Sequence, residues 1–426
     1  MNDAKADLLE AATDIGRELC ATAYWHQERC NWVGRSSREL SQPGAPITPT
    51  VTALGPELYT GTSGIGLFLA HLFDRIGLVE GRATACAAIR QALDKSDEVA
   101  AEARRGFYSG LSGIAYAAAR VGGLTDTPEL VERGLRLAHR SVVPVDDNLL
   151  DVIGGNAGAL APLLWLARLP GGERLADAAI ALADELAAAA TRRDATWCWN
   201  NDRACGPGIG ATPLCGLAHG AAGMGLALIE AGVACGRNDW VEGGLAAFRY
   251  EDQLYDAHHE NWPDLRERGD RPGNPSILEG PSFMVAWCHG AAGIGLTRLR
   301  AIQLVPGHRA ELMVGAKRAV CATSQHLRTL PAYSDASPCH GRAGLAETLL
   351  FATEVFDESE YANEARRMWR TLVRTPEKAP WTCGVPSGRY NPSFMLGYAG
   401  IGYGLLRADD PNSIPSLLLV GARDRD

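Results

Sequence analysis

The chain has 426 residues, 46% hydrophobic and 21% charged, so a large apolar core is available and disorder is not the default. With 50 acidic against 41 basic residues the net charge is −9, and no basic cluster stands out, which argues against a nucleic-acid partner. The first twenty residues carry acids and no continuous apolar stretch, so they do not read as a secretory signal.

No run reaches the roughly 18 apolar residues of a membrane span, and a cytoplasmic location is expected. The 11 cysteines are an odd number over a long chain, which speaks against a disulfide framework. The length exceeds one ordinary domain, but closed barrels run this long as single units. One unit over residues 1–426 is expected, with 1–50 as a helix and loop leading into it.

In chain order, Leu8, Ala12, Ile15 and Leu19 fall on one face of an N-terminal amphipathic helix. Residues from about Arg35 to Thr50 are rich in Ser, Pro, Gly and Thr and read as a loop. From there Gly-x-x-Gly followed by an apolar run recurs seven times. The first glycines are Gly61, Gly110, Gly155, Gly220, Gly290, Gly341 and Gly397, spaced 49, 45, 65, 70, 51 and 56 residues apart. A period near fifty suits a helix pair with its connections.

Each glycine run is small, apolar and nearly uncharged, as a helix buried on most sides would be, and close helix packing is the expected reason for its glycines. Between the runs lie helices with one apolar face: Leu175–Ala190, with Leu175, Leu182 and Leu186, and Tyr361–Arg374, with Tyr361, Ala365, Met368 and Leu372. Strand signals are sparse, so the fold is read as all-α. Seven hairpins close into an α/α toroid of seven inner and seven outer helices, or stack as an open solenoid. Two longer connections, Thr196–Pro213 with Trp197, Trp199 and Cys205, and Phe248–Pro281 with Tyr250-Glu251 and Asn261–Arg266, are expected to border a site.

Aligned on the first glycine, the preceding residues are Thr60, Ser109, Gly154, His219, His289, His340 and Leu396. Two before it stand Tyr59, Tyr108, Ile153, Ala218, Cys288, Cys339 and Met395. Chemically capable side chains thus gather at one level of repeats four to six, which in a ring is one mouth of the inner barrel. Cys288, Cys339 and His340 make a set of three ligands, the pattern of a catalytic zinc with one open position, although a lone cysteine is more often a buried apolar residue. His219 stands at the matching position one repeat earlier, either as a general acid/base or as a core or surface histidine. His289 is an acid, an outer support to the ligands, or polar lining. Asp151, four before the third motif's glycine, either caps a helix or pairs with a histidine and fixes its tautomer. Nucleotide binding by the glycine turns is disfavoured, since no Gly-Lys-Ser/Thr and no preceding strand accompany them.

Over roughly Leu58 to Leu406 these residues resemble the LanC family of lanthionine synthetase cyclases. The resemblance rests on the seven glycine motifs with Trp287-Cys288-His289-Gly290 and Cys339-His340-Gly341. Asn261-Trp262-Pro263-Asp264-Leu265-Arg266 and Leu396–Tyr403 look like the cyclase halves of bifunctional synthetases. The length leaves no room for the dehydratase half, so a stand-alone cyclase or an excised cyclase domain is expected, with Met1 favouring the former.

The resemblance implies an α/α toroid, one zinc ion on Cys288, Cys339 and His340, a catalytic histidine at His219 and a catalytic aspartate at Asp151. His289 stands where the nisin-type cyclase has a tyrosine, so the proton donor is His219 or His289. The expected reaction adds a peptide cysteine thiol to a dehydrated Ser or Thr, giving lanthionine or methyllanthionine. The expected partners are a dehydrated precursor peptide, leader plus core, and a separate dehydratase or kinase-lyase enzyme. Three rivals remain: a related enzyme adding glutathione to dehydroamino acids in proteins, a non-catalytic peptide-binding toroid, and an α/α-barrel glycoside hydrolase, which would need a carboxylate pair facing the cavity.

Overall fold

The computed structural model describes residues 3–35, 51–144, 147–200, 212–266, 281–331, 333–374 and 381–420. Most of the expected 35–50 loop, Cys205 and residues 267–280 of the second long connection lie outside the described residues.

Helices dominate. After α1 (Asp3–Ala21), a helix starts immediately behind each first glycine: α2 (Thr62–Ile76), α4 (Leu111–Leu124), α6 (Asn156–Leu166), α8 (Ala221–Cys235), α10 (Ala291–Leu304), α12 (Arg342–Phe356) and α14 (Tyr398–Asp409). Between them run α3 (Val79–Asp94), α5 (Pro128–Ser141), α7 (Leu175–Ala188), α9 (Asn238–Asp252), α11 (Arg309–Thr329) and α13 (Ser359–Val373). The glycine-led helices are buried over most of their length, while α5 and α13 bury one stripe and turn charged residues outward.

Each glycine-led helix packs on the next, from α2 through α14, and α14 packs back on α2. The hairpins therefore close into an α/α toroid rather than an open solenoid. The seventh outer place is filled by α1, which packs on α14 and also touches α13 and α3. It is part of the ring wall, where the sequence suggested only an approach to it. Leu8, Ala12, Ile15 and Leu19 are all buried there.

A belt of backbone hydrogen bonds runs around the ring just before the inner helices begin. Tyr59 N–H donates to Tyr108 O (2.9 Å) and Tyr108 N–H to Ile153 O (3.1 Å). Val152 donates to Ala218 O (3.1 Å), Ala218 to Cys288 O (3.1 Å) and Cys288 to Cys339 O (3.3 Å). Cys339 donates to Met395 O (3.1 Å), and Met395 closes the belt on Tyr59 O (2.9 Å). These are the residues two before each first glycine, with a one-residue step at Val152-Ile153. All seven inner helices consequently present their N-termini to the same mouth.

The glycines are explained differently from expectation. A Cβ on the second glycine of every motif would lie 1.7–2.4 Å from the carbonyl oxygen six residues earlier, from Leu58 O at Gly64 to Phe394 O at Gly400. The chain leaving the belt folds back onto the first turn of its own helix, and only a residue without Cβ admits that approach. Close packing between helices applies to other glycines: Gly225 against Gly244 and Ala247 of α9, and Gly402 against Phe68 of α2.

Two other features frame the site. Ile414–Val420 follow α14 into the ring, with Ile414 and Leu417–Val420 all buried. Tyr403 Oη donates to Pro415 O (2.7 Å), Tyr108 Oη to Leu417 O (2.7 Å) and Trp287 Nε1 to Leu418 O (3.3 Å). Tyr108 and Trp287, from well-separated repeats, meet edge to face at 5.0 Å between centroids.

At the outer layer, three indoles close helix C-termini: Trp32 Nε1 donates to Leu19 O, Trp199 to Leu186 O and Trp262 to Glu251 O. Tyr250 and Glu251 belong to α9 rather than to the loop expected from Phe248. Strands among the described residues are limited to three short antiparallel hairpins: β1 (Tyr24–His26) with β2 (Arg29–Asn31), β3 (Val33–Arg35) with β4 (Val51–Ala53), and β5 (Thr191–Arg193) with β6 (Thr196–Cys198).

Candidate metal centre and active site

The belt sets two cysteines side by side. Cys288 and Cys339 are consecutive members, joined through Cys288 N–H and Cys339 O. His340 follows immediately, and one ligand atom from each of the three lies within 4.8 Å of the other two. This trio could hold a metal ion. The thiols act as a pair: the hydrogen bond with Cys339 holds Cys288 below the usual thiol range, while that same bond and burial push Cys339 well above it. Gly290 makes the turn after Cys288 at φ +81, where a Cβ would lie 1.7 Å from Met284 O; a side chain there would disturb the bend that aims Cys288.

His340 Nε2 lies 3.1 Å from Gly384 O and 3.3 Å from Asp335 Oδ2. Both are acceptors, so Nε2 carries the proton and Nδ1 keeps the lone pair that a metal requires. Asp335 is itself fixed by Ser337, through its backbone N–H (2.7 Å) and its hydroxyl (3.0 Å). Burial pushes the Asp335 carboxyl up, against the pull of His340. On the other side Tyr59 Oη donates to Cys339 Sγ at 2.8 Å.

The second group at this mouth is His219 with Asp151. His219 Nδ1 is 2.5 Å from Asp151 Oδ2, and Asp151 Oδ1 accepts Gly154 N–H at 2.8 Å. The aspartate thus combines the two uses left open by its position: one oxygen stiffens a turn and the other holds the imidazole. Asp151 is 1% exposed and the His219 side chain 19%, so the histidine reaches the mouth and its partner does not.

The loop before His219 is held from behind. Glu251 Oε1 accepts Gly216 N–H (2.7 Å) and Ala222 N–H (2.8 Å), and Oε2 stands 3.5 Å from Arg298 Nη2. Burial raises the Glu251 carboxyl to about 7.

His289 lies between the two groups, its ring 5.9 Å from that of His219. It is 2% exposed. Burial, reinforced by Arg266 and His219, lowers it to about 3, so it is a neutral imidazole at ordinary pH. Asp264 and Arg266 form a bidentate pair (2.9 and 2.6 Å) whose charges act on His289. Burial opposes ionisation of Asp264, but Arg266 overcomes this and holds the carboxyl below its usual range. Of the two long connections, the segment ending at Arg266 borders the site; Cys215 Sγ donates to Pro263 O at 2.9 Å. Trp199 of the other is buried against α7.

The structure therefore brings Cys288, Cys339 and His340 together, His219 together with Asp151, and His289 between them. Glu251 and the Asp264–Arg266 pair lie in the connection that the sequence expected to border a site, although no role was given to them. Tyr59 and Asp335 were not singled out as site residues. Tyr59 shared a register with the cysteines, and its hydroxyl was the overlooked signal; Asp335 falls outside that register.

The family model described as lanthionine synthetase C-like protein matches residues 52–419. No curated protein matches the sequence. Among solved structures, one described as nisin cyclase is similar with a TM-score of 0.53 at 19% identity, over 83% of this chain and 89% of that one. Another, described as a sugar epimerase from a ruminal bacterium, is similar with a TM-score of 0.51 at 11% identity, over 96% and 98%. At such identities these likenesses speak for a shared toroidal fold alone. The family match spans most of the sequence and includes every residue of the mouth described above, and the chain belongs to the lanthionine synthetase C-like family.

Proposed function

We propose that the protein is a zinc-dependent cyclase that joins cysteine thiols of a dehydrated precursor peptide to dehydroalanine or dehydrobutyrine, forming thioether rings. The observation that carries this reading is the meeting of a Cys-Cys-His trio with a carboxylate-held histidine at one mouth. Two sulfurs and an imidazole nitrogen suit zinc. Their mutual reach covers the roughly 3.5–3.8 Å separations implied by tetrahedral bonds of about 2.3 Å to sulfur and 2.0 Å to nitrogen. Cys288, Cys339 and His340 would hold the ion through two Sγ atoms and Nδ1. Once bound, zinc supplies a Lewis acid that ionises a thiol whose free pKa is roughly 8.5.

The chain's own residues account for the proton. Asp151 fixes the His219 tautomer with hydrogen on Nδ1, so Nε2 takes the thiol proton and returns it to the α-carbon. One S–C bond and one C–H bond form, the carbon–carbon double bond is lost, and no external proton is consumed. His219 is preferred over His289 as the donor because it reaches the mouth and has a carboxylate partner, whereas the His289 ring is buried.

The test is to incubate purified protein and zinc with a peptide carrying cysteine and dehydroalanine, then to count free thiols by alkylation and mass spectrometry. Loss of alkylation without change of peptide mass is expected. Unchanged thiols in the presence of zinc, or equal turnover by Cys339→Ala, would sink the reading. A parallel incubation with glutathione and a cysteine-free dehydropeptide separates the intermolecular reaction, which adds the mass of glutathione.

A further inference from the structure

We infer that Tyr59 is a positioning residue of the metal centre: its hydroxyl, 2.8 Å from the Cys339 sulfur, sets how much charge that sulfur gives to a bound cation. The inference rests on the metal-centre reading above and extends it to a side chain from the opposite end of the sequence. Tyr59 belongs to the first repeat and Cys339 to the sixth; the two approach because the ring closes between α14 and α2.

The tyrosine backbone is pinned twice in the belt, through its N–H to Tyr108 O and its carbonyl to Met395 N–H, and its ring stands edge-on to Tyr108 at 6.4 Å. That leaves little freedom for the hydroxyl to point elsewhere. Packing alone would be served by a phenylalanine; a tyrosine at a half-buried position needs a partner for its O–H, and here that partner is a sulfur.

A hydrogen bond to a thiolate is charge-assisted and draws electron density from the sulfur lone pairs. The two ends of the trio are therefore treated in opposite ways. Asp335, close to His340 Nε2, enriches the imidazole as a donor. Tyr59 makes Cys339 a poorer donor than the same sulfur would be without the hydrogen bond. The asymmetry limits the negative charge that two thiolates would otherwise place beside an incoming third sulfur.

Cobalt reports this directly, because the energy of sulfur-to-cobalt charge transfer follows the sulfur lone pairs. Full-length wild type and Tyr59→Phe would be loaded with Co²⁺, and the near-ultraviolet band and the affinity in competition with a chelator measured. The expected result is a band at longer wavelength in Tyr59→Phe, with the visible bands of a tetrahedral site retained and affinity changed by about 10- to 100-fold. Placing 3-fluorotyrosine at position 59, a more acidic donor of nearly the same shape, should move the band to shorter wavelength. It keeps the test decisive if the phenylalanine variant folds poorly. A wild-type band that neither replacement moves overturns the role of Tyr59 and leaves the metal centre standing. Wild-type protein with no sulfur-to-cobalt band overturns both.

Discussion

At the scale of single residues, the site works by division of labour between paired and sealed groups. Asp151 is buried and His219 is at the mouth, so Asp151→Asn should keep the fold and lose the tautomer. Turnover in the thiol-alkylation assay is expected to fall by about a hundred- to ten-thousandfold for His219→Ala and to follow for Asp151→Asn, with zinc content unchanged. Cys339→Ala should instead lose zinc, read by metal analysis of the purified protein.

Glu251 offers a stability test. Its carboxyl is raised from 4.5 to about 7, so between these values the folded state holds a proton that the unfolded chain has released. Its contribution is fully present below pH 4.5 and is lost as pH rises through 7. His71, lowered by burial from 6.5 to about 3, has the opposite sign: its contribution is present above pH 6.5 and lost as pH falls towards 3. Urea unfolding at pH 5 and pH 7 should show Glu251→Gln gaining on wild type with rising pH, by up to about 1.4 kcal/mol per pH unit within the window. Part of this scale was legible in the sequence. Cys288, Cys339, His340 and His219 share a register, and register becomes proximity in a closed ring. Asp335 and Glu251 act through loop and outer-helix geometry, which a repeat alignment cannot display.

At the scale of elements, the recurring unit is a belt residue, a reversing turn and a glycine-started helix. Gly293→Ala would put a methyl group about where the Trp287 carbonyl oxygen lies, 2.0 Å from the ideal Cβ, one residue before Cys288. A loss of ~1–3 kcal/mol is expected in chemical denaturation, together with weaker zinc binding in a chelator competition, because the carbonyl that must move adjoins Cys288, a proposed ligand. The inner helices also share a direction. Seven N-terminal ends, each equivalent to a partial positive charge, face the mouth where the thiols lie and favour sulfur in its ionised form. The apolar runs and glycine pairs made these helices legible in the sequence. The reason for the glycines was not legible, because a carbonyl folded back on its own helix and a neighbouring helix impose the same demand for a missing Cβ.

At the scale of the whole molecule, periodicity alone left an open solenoid as the rival to the ring, and the contacts that decide between them join the first and last repeats. Residues 3–21 and 398–409 form one helix pair, α1 on α14, and α14 reaches α2. Leu19→Ala, at a fully buried position of that pair, is expected to cost about 2–5 kcal/mol. If the ring melts as a unit, hydrogen exchange should speed up throughout the inner helices rather than in α1 alone. The path of Ile414–Val420 has a consequence for traffic. A toroid suggests a ring through which a polymer can be drawn, but this one is stoppered by its own chain, tied to Tyr403, Tyr108 and Trp287, the last of which adjoins Cys288. If the protein makes thioether rings as proposed, a long peptide would enter and leave by the same door, and successive rings would be made by letting go and presenting a new stretch, not by threading.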